Sequence, residues 1–390
     1  MSRFRTIQLT SVEDLRAASA AWDDLWWRSD VALPLVRAEL LAQWVEHFEP
    51  NAAFRAIVVA EGDRWIAALP LVSGRVGWLI PAGKLPCNPW VPCAELLCDA
   101  AADNDATMDL LLAAAAKLPW CLLWLNETMP ETPRWQAFLR ACDRAGNCAH
   151  YHERFRSGRV EINQSWELYR KRLAKSHRQG ITRSARRLAC EGKVQFEMHH
   201  QLDPQRVEPW LSEAFKVEQL GWKGEAGTSV LDTPGMFDFF VRQAEQLAHW
   251  GQLETAALRL DGRLLAFVHG FRAKGVYFAH KISYDPCFAA FSPGQLLFHH
   301  ILEQLHNDGE AQALDFMGPV KSLSRWRPTT YGVGRVVLAP RRLLGRMALC
   351  AYQNIWRRLR RQPAAVGARV GVRAPSPDDS PVPEPAGASG

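Results

Sequence analysis

Lys281, Tyr284, Asp285 and Pro286 close one β-rich run, and a few residues later Ser292, Pro293 and Gly294 open an apolar run that continues through Gln295 and Leu296 to Ile301. This order predicts a strand, a turn and a helix whose first backbone N–H groups have no intrahelical acceptor. Gly294, Gln295 and Leu296 are the candidate donors, with Ser292 beside them. Pro293 offers no N–H but presets the turn. A helix start of this kind sits at the positive end of the helix dipole and suits phosphate. Lys281 can bind an anionic group or polarise a carbonyl, and Tyr284 can return a proton to a leaving thiolate. Asp315, which ends the short apolar run Ala313 and Leu314, can act as a base or anchor an amine. Taken together these are the parts of an acyl transfer from a thioester: a grip on the donor, a polarised carbonyl, a place for the acceptor's proton and a proton for the leaving group. Each residue also has an ordinary reading. A strand-end lysine can be solvated, a tyrosine can be a hydrogen-bonded core residue, and Asp285 before Pro286 is a natural turn residue. An S-P-G triplet by itself merely starts helices.

Trp222 and Lys223, set between Gly221 and Gly224, add a loop that can bring a flat apolar surface and a cation to a substrate. Glu218 and Arg325 are weaker candidates for the same substrate contact. With Gly227 and Thr228, then Lys281, Tyr284 and Asp285, then Ser292, Pro293 and Gly294, then Leu314, Asp315 and Phe316, and finally Trp326, these motifs follow one another in order. From residue 165 to about 338 the chain resembles the CelD/FemAB-like branch of the GNAT acetyltransferase superfamily, and its first half is similar to that branch's degenerate first domain. The resemblance implies an α/β fold of two tandem GNAT-like domains, each a mixed central sheet flanked by helices. It also implies an acyltransferase that uses acetyl-CoA or another acyl-CoA on an amine or hydroxyl of a sugar or cell-envelope or exopolysaccharide precursor. Two other readings stay open: a FemAB-like transferase that takes its group from an aminoacyl-tRNA to a peptidoglycan-type precursor, and a non-catalytic scaffold in polysaccharide biosynthesis.

The elements that must position these residues are legible as two similar halves. Runs 54–60 and 65–72 are β-rich and separated by Glu61, Gly62, Asp63 and Arg64, whereas runs 253–260 and 264–271 are separated by Asp261, Gly262 and Arg263. The two turns match in place and kind, and each hairpin is preceded by helices and followed by a helix and another strand. That pattern predicts a duplication. In the first half, helices are expected over 11–27, 37–48, 105–117 and 133–145, with a buried strand over 120–125.

Between the halves, one long helix is expected over 165–190, capped by Ser165. Leu168, Leu173, Ile181 and Leu188 would pack, while Arg170, Lys171, Arg172, Lys175, Arg178, Arg183, Arg186 and Arg187 project elsewhere. No acidic residue interrupts this stretch from Leu168 to Ala189. Without balancing carboxylates such a face repels itself unless an anion meets it. The expected domains are 1–160, 161–340, a basic amphipathic helix over 341–361 that docks on the protein or on an anionic membrane surface, and a disordered tail over 362–390.

Composition bounds the rest. A chain of 390 residues that is 48% hydrophobic and 23% charged can bury two cores, and a net charge of +6 suits an anionic ligand without selecting one. Sparse aromatics among the basic residues argue against nucleic acid. Nine cysteines with no C-x-x-C pair suggest a reducing, cytoplasmic setting, with the protein soluble or peripheral at the inner face of the membrane. Cys87, Cys93 and Cys98 match no zinc spacing, and the pairs His199 and His200, and His299 and His300, have no partnered ligand at metal spacing, so no metal is assigned. Neither a G-x-S-x-G elbow, a Walker lysine nor a dinucleotide fingerprint is present.

Overall fold

The computed structural model describes residues 4–339, apart from 77–78, 93–94, 103, 201 and 320–322, with isolated helical positions between 345 and 350. The first half runs β1 (Phe4–Leu9), α1 (Val12–Ala17), α2 (Ser19–Arg28), α3 (Ala38–Phe48), β2 (Phe54–Glu61), β3 (Arg64–Val76), β4 (Ile80–Lys84), β5 (Leu97–Cys98), α4 (Asn104–Ala115), β6 (Leu122–Thr128), α5 (Pro133–Arg144) and β7 (Cys148–Glu161). The second runs α6 (Trp166–Arg172), α7 (Lys175–Glu191), β8 (Val194–His199), α8 (Pro204–Gln219), α9 (Trp222–Glu225), α10 (Met236–His249), β9 (Leu253–Leu260), β10 (Arg263–Ala273), β11 (Val276–Tyr284), α11 (Pro293–Asn307), β12 (Ala313–Pro319) and β13 (Thr329–Ala339). The fold is α/β, with two similar halves joined in one mixed sheet.

The strands form a 13-stranded sheet in the order β1-β2-β3-β4-β6-β13-β7-β12-β11-β10-β9-β8, with β5 on β3. Antiparallel hairpins β2/β3 and β9/β10 occupy equivalent places, as do the parallel pairs β4/β6 and β11/β12. At the seam the halves exchange their last strands. β7 lies between β12 and β13, and β13 lies between β6 and β7, the two running antiparallel from Thr329 opposite Arg159 to Ala339 opposite Cys148. Neither half closes its sheet from its own residues.

One core, under α3, α8 and α10, is continuous across the halves: Phe48 packs edge-on and His47 tilted against Phe239. The second, on the opposite face, is closed by α6, α7 and α11 through Trp166, Tyr169, Ile181, Leu188, Leu297 and Ile301. A further tie is Lys274, in the β10/β11 turn, whose Nζ donates to the carbonyls of Ser29 and Val31 at 2.9 Å each and also to that of Trp26.

Three expectations need correction. The turns are offset by one residue: Gly62 and Asp63 link β2 to β3, whereas Asp261 and Gly262 link β9 to β10, with positive φ at Gly62 (59°) and at both Asp261 (48°) and Gly262 (82°). The helix expected over 165–190 is two helices, broken at Leu173 and Ala174, whose extended backbone turns the chain. Leu168 is exposed rather than packed, because Trp166, Tyr169 and Leu173 define the buried face of α6 and Leu168 lies off it. The expected basic helix over 341–361 and the tail over 362–390 fall outside the described residues, save that Leu349 is buried against Ala82, Leu122, Val337 and Ala339.

Candidate active site

The parallel pair β11/β12 is short. Val276 lies opposite Ala313, Tyr277 opposite Leu314 and Phe278 opposite Asp315, and beyond that register the strands part. β11 continues to Tyr284 and β12 to Pro319, leaving a wedge lined on one side by backbone groups of β11 that face no strand. On its other edge β11 remains paired to β10, but the register jumps: Lys281 lies opposite His269 and Ala279 opposite Gly270, so His280 is a bulged residue. A bulge re-aims side chains, and here it turns His280 and Lys281 toward the α8/α10 face.

Lys281 is 8% exposed, with its ammonium 4.7 Å from the Trp90 ring centre and 5.0 Å from that of Phe240. No carboxylate lies within salt-bridge range of it among the described residues. Burial pushes its pKa down to about 7, helped by the Lys223 charge and opposed by Glu218. His280 contacts the Trp90 carbonyl at 3.0 Å, and burial and Lys281 hold its pKa well below the usual imidazole range. His269 is fully buried, with both ring nitrogens unpartnered, and burial together with Lys281 pushes it down to about 3. Both imidazoles are therefore neutral at physiological pH. Trp90 comes from the first half, so a loop between β4 and β5 helps roof a site built on the second.

The loop after α8 is held from below. Glu218 is only 1% exposed; it accepts from Lys223 Nζ at 2.5 Å and from the Val230 N–H at 3.0 Å. It is thus no surface residue but the clamp that fixes residues 221–230. Any side chain at Gly224 would collide with the Gln219 carbonyl, which explains that glycine. Trp222, by contrast, is 61% exposed and stands at the rim.

At the far end of β11, Asp285 is buried, caps the following turn through the Cys287 N–H at 2.9 Å and accepts from Arg263 at 2.5 Å. Its role is the turn. Ser292, with φ of 53°, then opens α11 without using its hydroxyl as a cap. The amides of Gln295 and Leu296 donate to the Ser292 carbonyl at 3.0 and 3.1 Å, so of the three expected donors only Gly294 N–H has no acceptor among the described residues. Tyr284 is exposed beside it, with Cδ1 3.8 Å from where a Gly294 Cβ would lie.

Asp315 sits apart, at the base of the wedge and about 10 Å along the strand from the Lys281 register. It lines a cavity of about 340 Å³ between the halves, together with Phe278, Ser157, Tyr331 and Glu127. Its carboxylate accepts from the Met317 N–H at 2.8 Å and from the Tyr331 hydroxyl at 2.7 Å, and burial raises its pKa. Arg325 is exposed, next to the buried Trp326 of the core under α6, α7 and α11. The structure therefore unites Lys281 with Lys223 and Glu218, and Tyr284 with Gly294, while Asp315 and Arg325 stand away from both. Trp90, Phe240, His269 and Tyr331 carry no motif, and nothing but apolar or mixed patterning marks them along the chain.

Residues 175–326 match a family described as an acetyltransferase (GNAT) domain. No protein of curated function matches the chain. FemX shares 11% identity with a TM-score of 0.57, over 85% of this chain and 96% of its own. A conserved protein of unknown function from Bacteroides thetaiotaomicron shares 13% identity with a TM-score of 0.52, over 87% and 100%. The C-terminal domain of a putative lysylphosphatidylglycerol synthetase from Agrobacterium fabrum shares 14% with a TM-score of 0.50, over 87% and 97%. At such identities the likeness is one of fold, and it spans both halves.

Proposed function

Because the chain is an acyltransferase that carries a GNAT domain at residues 175–326, we propose that it moves an acyl group from an acyl-CoA to an amine or hydroxyl of a sugar or cell-envelope precursor. The observation that carries this reading is the wedge beyond Phe278 and Asp315, with the bulge at His280 and Lys281 turned across it. The amides of a pantetheine arm can pair with the free edge of β11 much as an added strand does. Gly294 N–H then meets the donor's diphosphate, in the dipole field at the start of α11.

The acceptor's nitrogen or oxygen attacks the thioester carbon, and the carbon–sulfur bond breaks in collapse of the tetrahedral intermediate. Lys281, as the ammonium, faces the developing oxyanion in a site from which Trp90 and Phe240 exclude water. The acceptor's proton passes to solvent and the leaving thiolate is protonated from solvent, while Tyr284, beside Gly294, lies at the diphosphate end of the donor. Asp315 keeps unused lone pairs on both oxygens and anchors the acceptor's N–H or O–H at the mouth of the 340 Å³ cavity. Glu218 acts through Lys223 and is a positioning residue.

The test is thiol release from acetyl-CoA and longer acyl-CoAs against a panel of amino sugars and sugar nucleotides. Release that depends on acceptor and falls about 100-fold or more in Lys281→Met supports the reading. Absence of both CoA binding and thiol release with every donor overturns it.

A further inference from the structure

We infer that the groove between α6 and α7 holds the phosphates at the nucleotide end of the acyl-CoA donor, including its 3′-phosphate; the inference rests on the acyl-CoA reading above. The groove encloses about 610 Å³ and presents six cations: Arg170, Lys175, Arg178, Arg183, Arg186 and Arg187. None has a carboxylate in salt-bridge range among the described residues. Elsewhere the same side chain is neutralised: Arg16 pairs with Glu39 and Glu46, Arg134 with Asp30 and Glu95, Arg259 with Glu197 and Glu213, and Arg272 with Glu254 and Asp308. Among the described residues the six groove cations, by contrast, form a stripe of like charge with no carboxylate partner. Nε of Arg178 is moreover buried without a partner. Like charges gathered along one helix face destabilise it until an anion arrives.

The position of α7 says which anion. Near its start, His177 packs edge-on against Trp326, in the segment that follows β12. Near its end, Arg187 donates to the Ala290 carbonyl at 3.4 Å and lies 5.1 Å from the Phe291 ring centre, in the turn that follows β11. The helix therefore bridges the segments that leave the two strands of the wedge, and a long donor whose thioester lies in the wedge must emerge beside it. Arg187 stands just before the α11 start where Gly294 waits for the diphosphate, the cations of α7 continue from there for about 18 Å back to Lys175, and Arg170 of α6 completes the set. Gln179 and Thr182 add uncharged polar groups to the lining, which contains no aromatic or aliphatic side chain to receive a base or a lipid chain. It reads charge alone. Four negative charges at the end of CoA, divided between a diphosphate and a 3′-phosphate, supply what the groove lacks.

Calorimetric titration of the full chain with CoA and with dephospho-CoA, which lacks the 3′-phosphate, tests the assignment. In the triple variant Arg178→Gln, Arg183→Gln, Arg186→Gln, CoA affinity should fall about 30-fold or more while dephospho-CoA affinity falls much less. The melting temperature should stay level or rise, since no ion pair is lost. Unaltered CoA affinity in the variant overturns the groove while leaving the acyl-CoA reading intact. Failure of the parent protein to bind CoA overturns both. Salt-steep binding of a short RNA or of phosphatidylglycerol vesicles that the variant loses, with CoA affinity unaltered, assigns the groove to another polyanion and also overturns the proposal.

Discussion

At Lys281, burial and the Lys223 charge work against protonation while Glu218 favours it, and the pKa is pushed down to about 7. Since the ordinary value is 10.5, unfolding takes up a proton between about pH 7 and 10.5, so stability rises with pH across that window. Lys281→Met should abolish this rise and stabilise the protein at pH 6 by about 1–3 kcal/mol, read from urea unfolding at pH 6 and pH 9. If the ammonium stabilises the oxyanion, turnover at saturating substrates should decline as pH passes upward through about 7, and a rate that instead climbs through the same pKa would reassign Lys281 as a base. Glu218 makes a different prediction. Glu218→Gln keeps an acceptor for Val230 but loses the ion pair with Lys223, and should lower kcat/KM about 10-fold with little change in Tm, whereas Glu218→Ala leaves a buried N–H unpartnered and should cost about 1–3 kcal/mol. Lys281, Tyr284 and Gly294 could be singled out from sequence because they lie close together along one strand, turn and helix. Trp90, Phe240 and His269 could not, because they come from three segments brought together only by the fold.

Among the elements, α11 and the turn before it were legible, because proline, glycine and an apolar period mark such a start locally. What could not be read was which amides stay free: the tightened first turn uses those of Gln295 and Leu296 and leaves Gly294. A Cβ at Gly294 meets only Tyr284 at an ordinary distance, so the site has room for a side chain. Gly294→Glu should accordingly fold normally, place a carboxylate where phosphate is proposed to bind and raise KM for acyl-CoA about 10-fold or more, with kcat changed less. An equal KM for donor in this variant would remove Gly294 from the donor site. The break at Leu173 and Ala174 was hidden because no glycine or proline signals it; packing of Trp166 and Tyr169 against His299 and His306 sets the direction of α6.

On the scale of the molecule, the duplication was visible in two hairpins, but the exchange of β7 and β13 was not, since strand pairing at such separation leaves no local pattern. The exchange and the shared core under α3 and α10 make the halves one cooperative unit. Differential scanning calorimetry should show a single transition, and Lys274→Met, which removes an ammonium shared by Trp26, Ser29 and Val31, should lower its midpoint by several degrees without splitting it. Two separate transitions would contradict this coupling. The seam also sets a timetable for synthesis. Thr128 in β6 hydrogen-bonds Gly334 in β13 across 206 residues, so at a ribosome's pace of about 5–20 residues per second the edge of β6 waits roughly 10–40 s for its neighbour. During that interval a nearly finished sheet presents an unpaired apolar edge, which makes the nascent first half a natural client for chaperones.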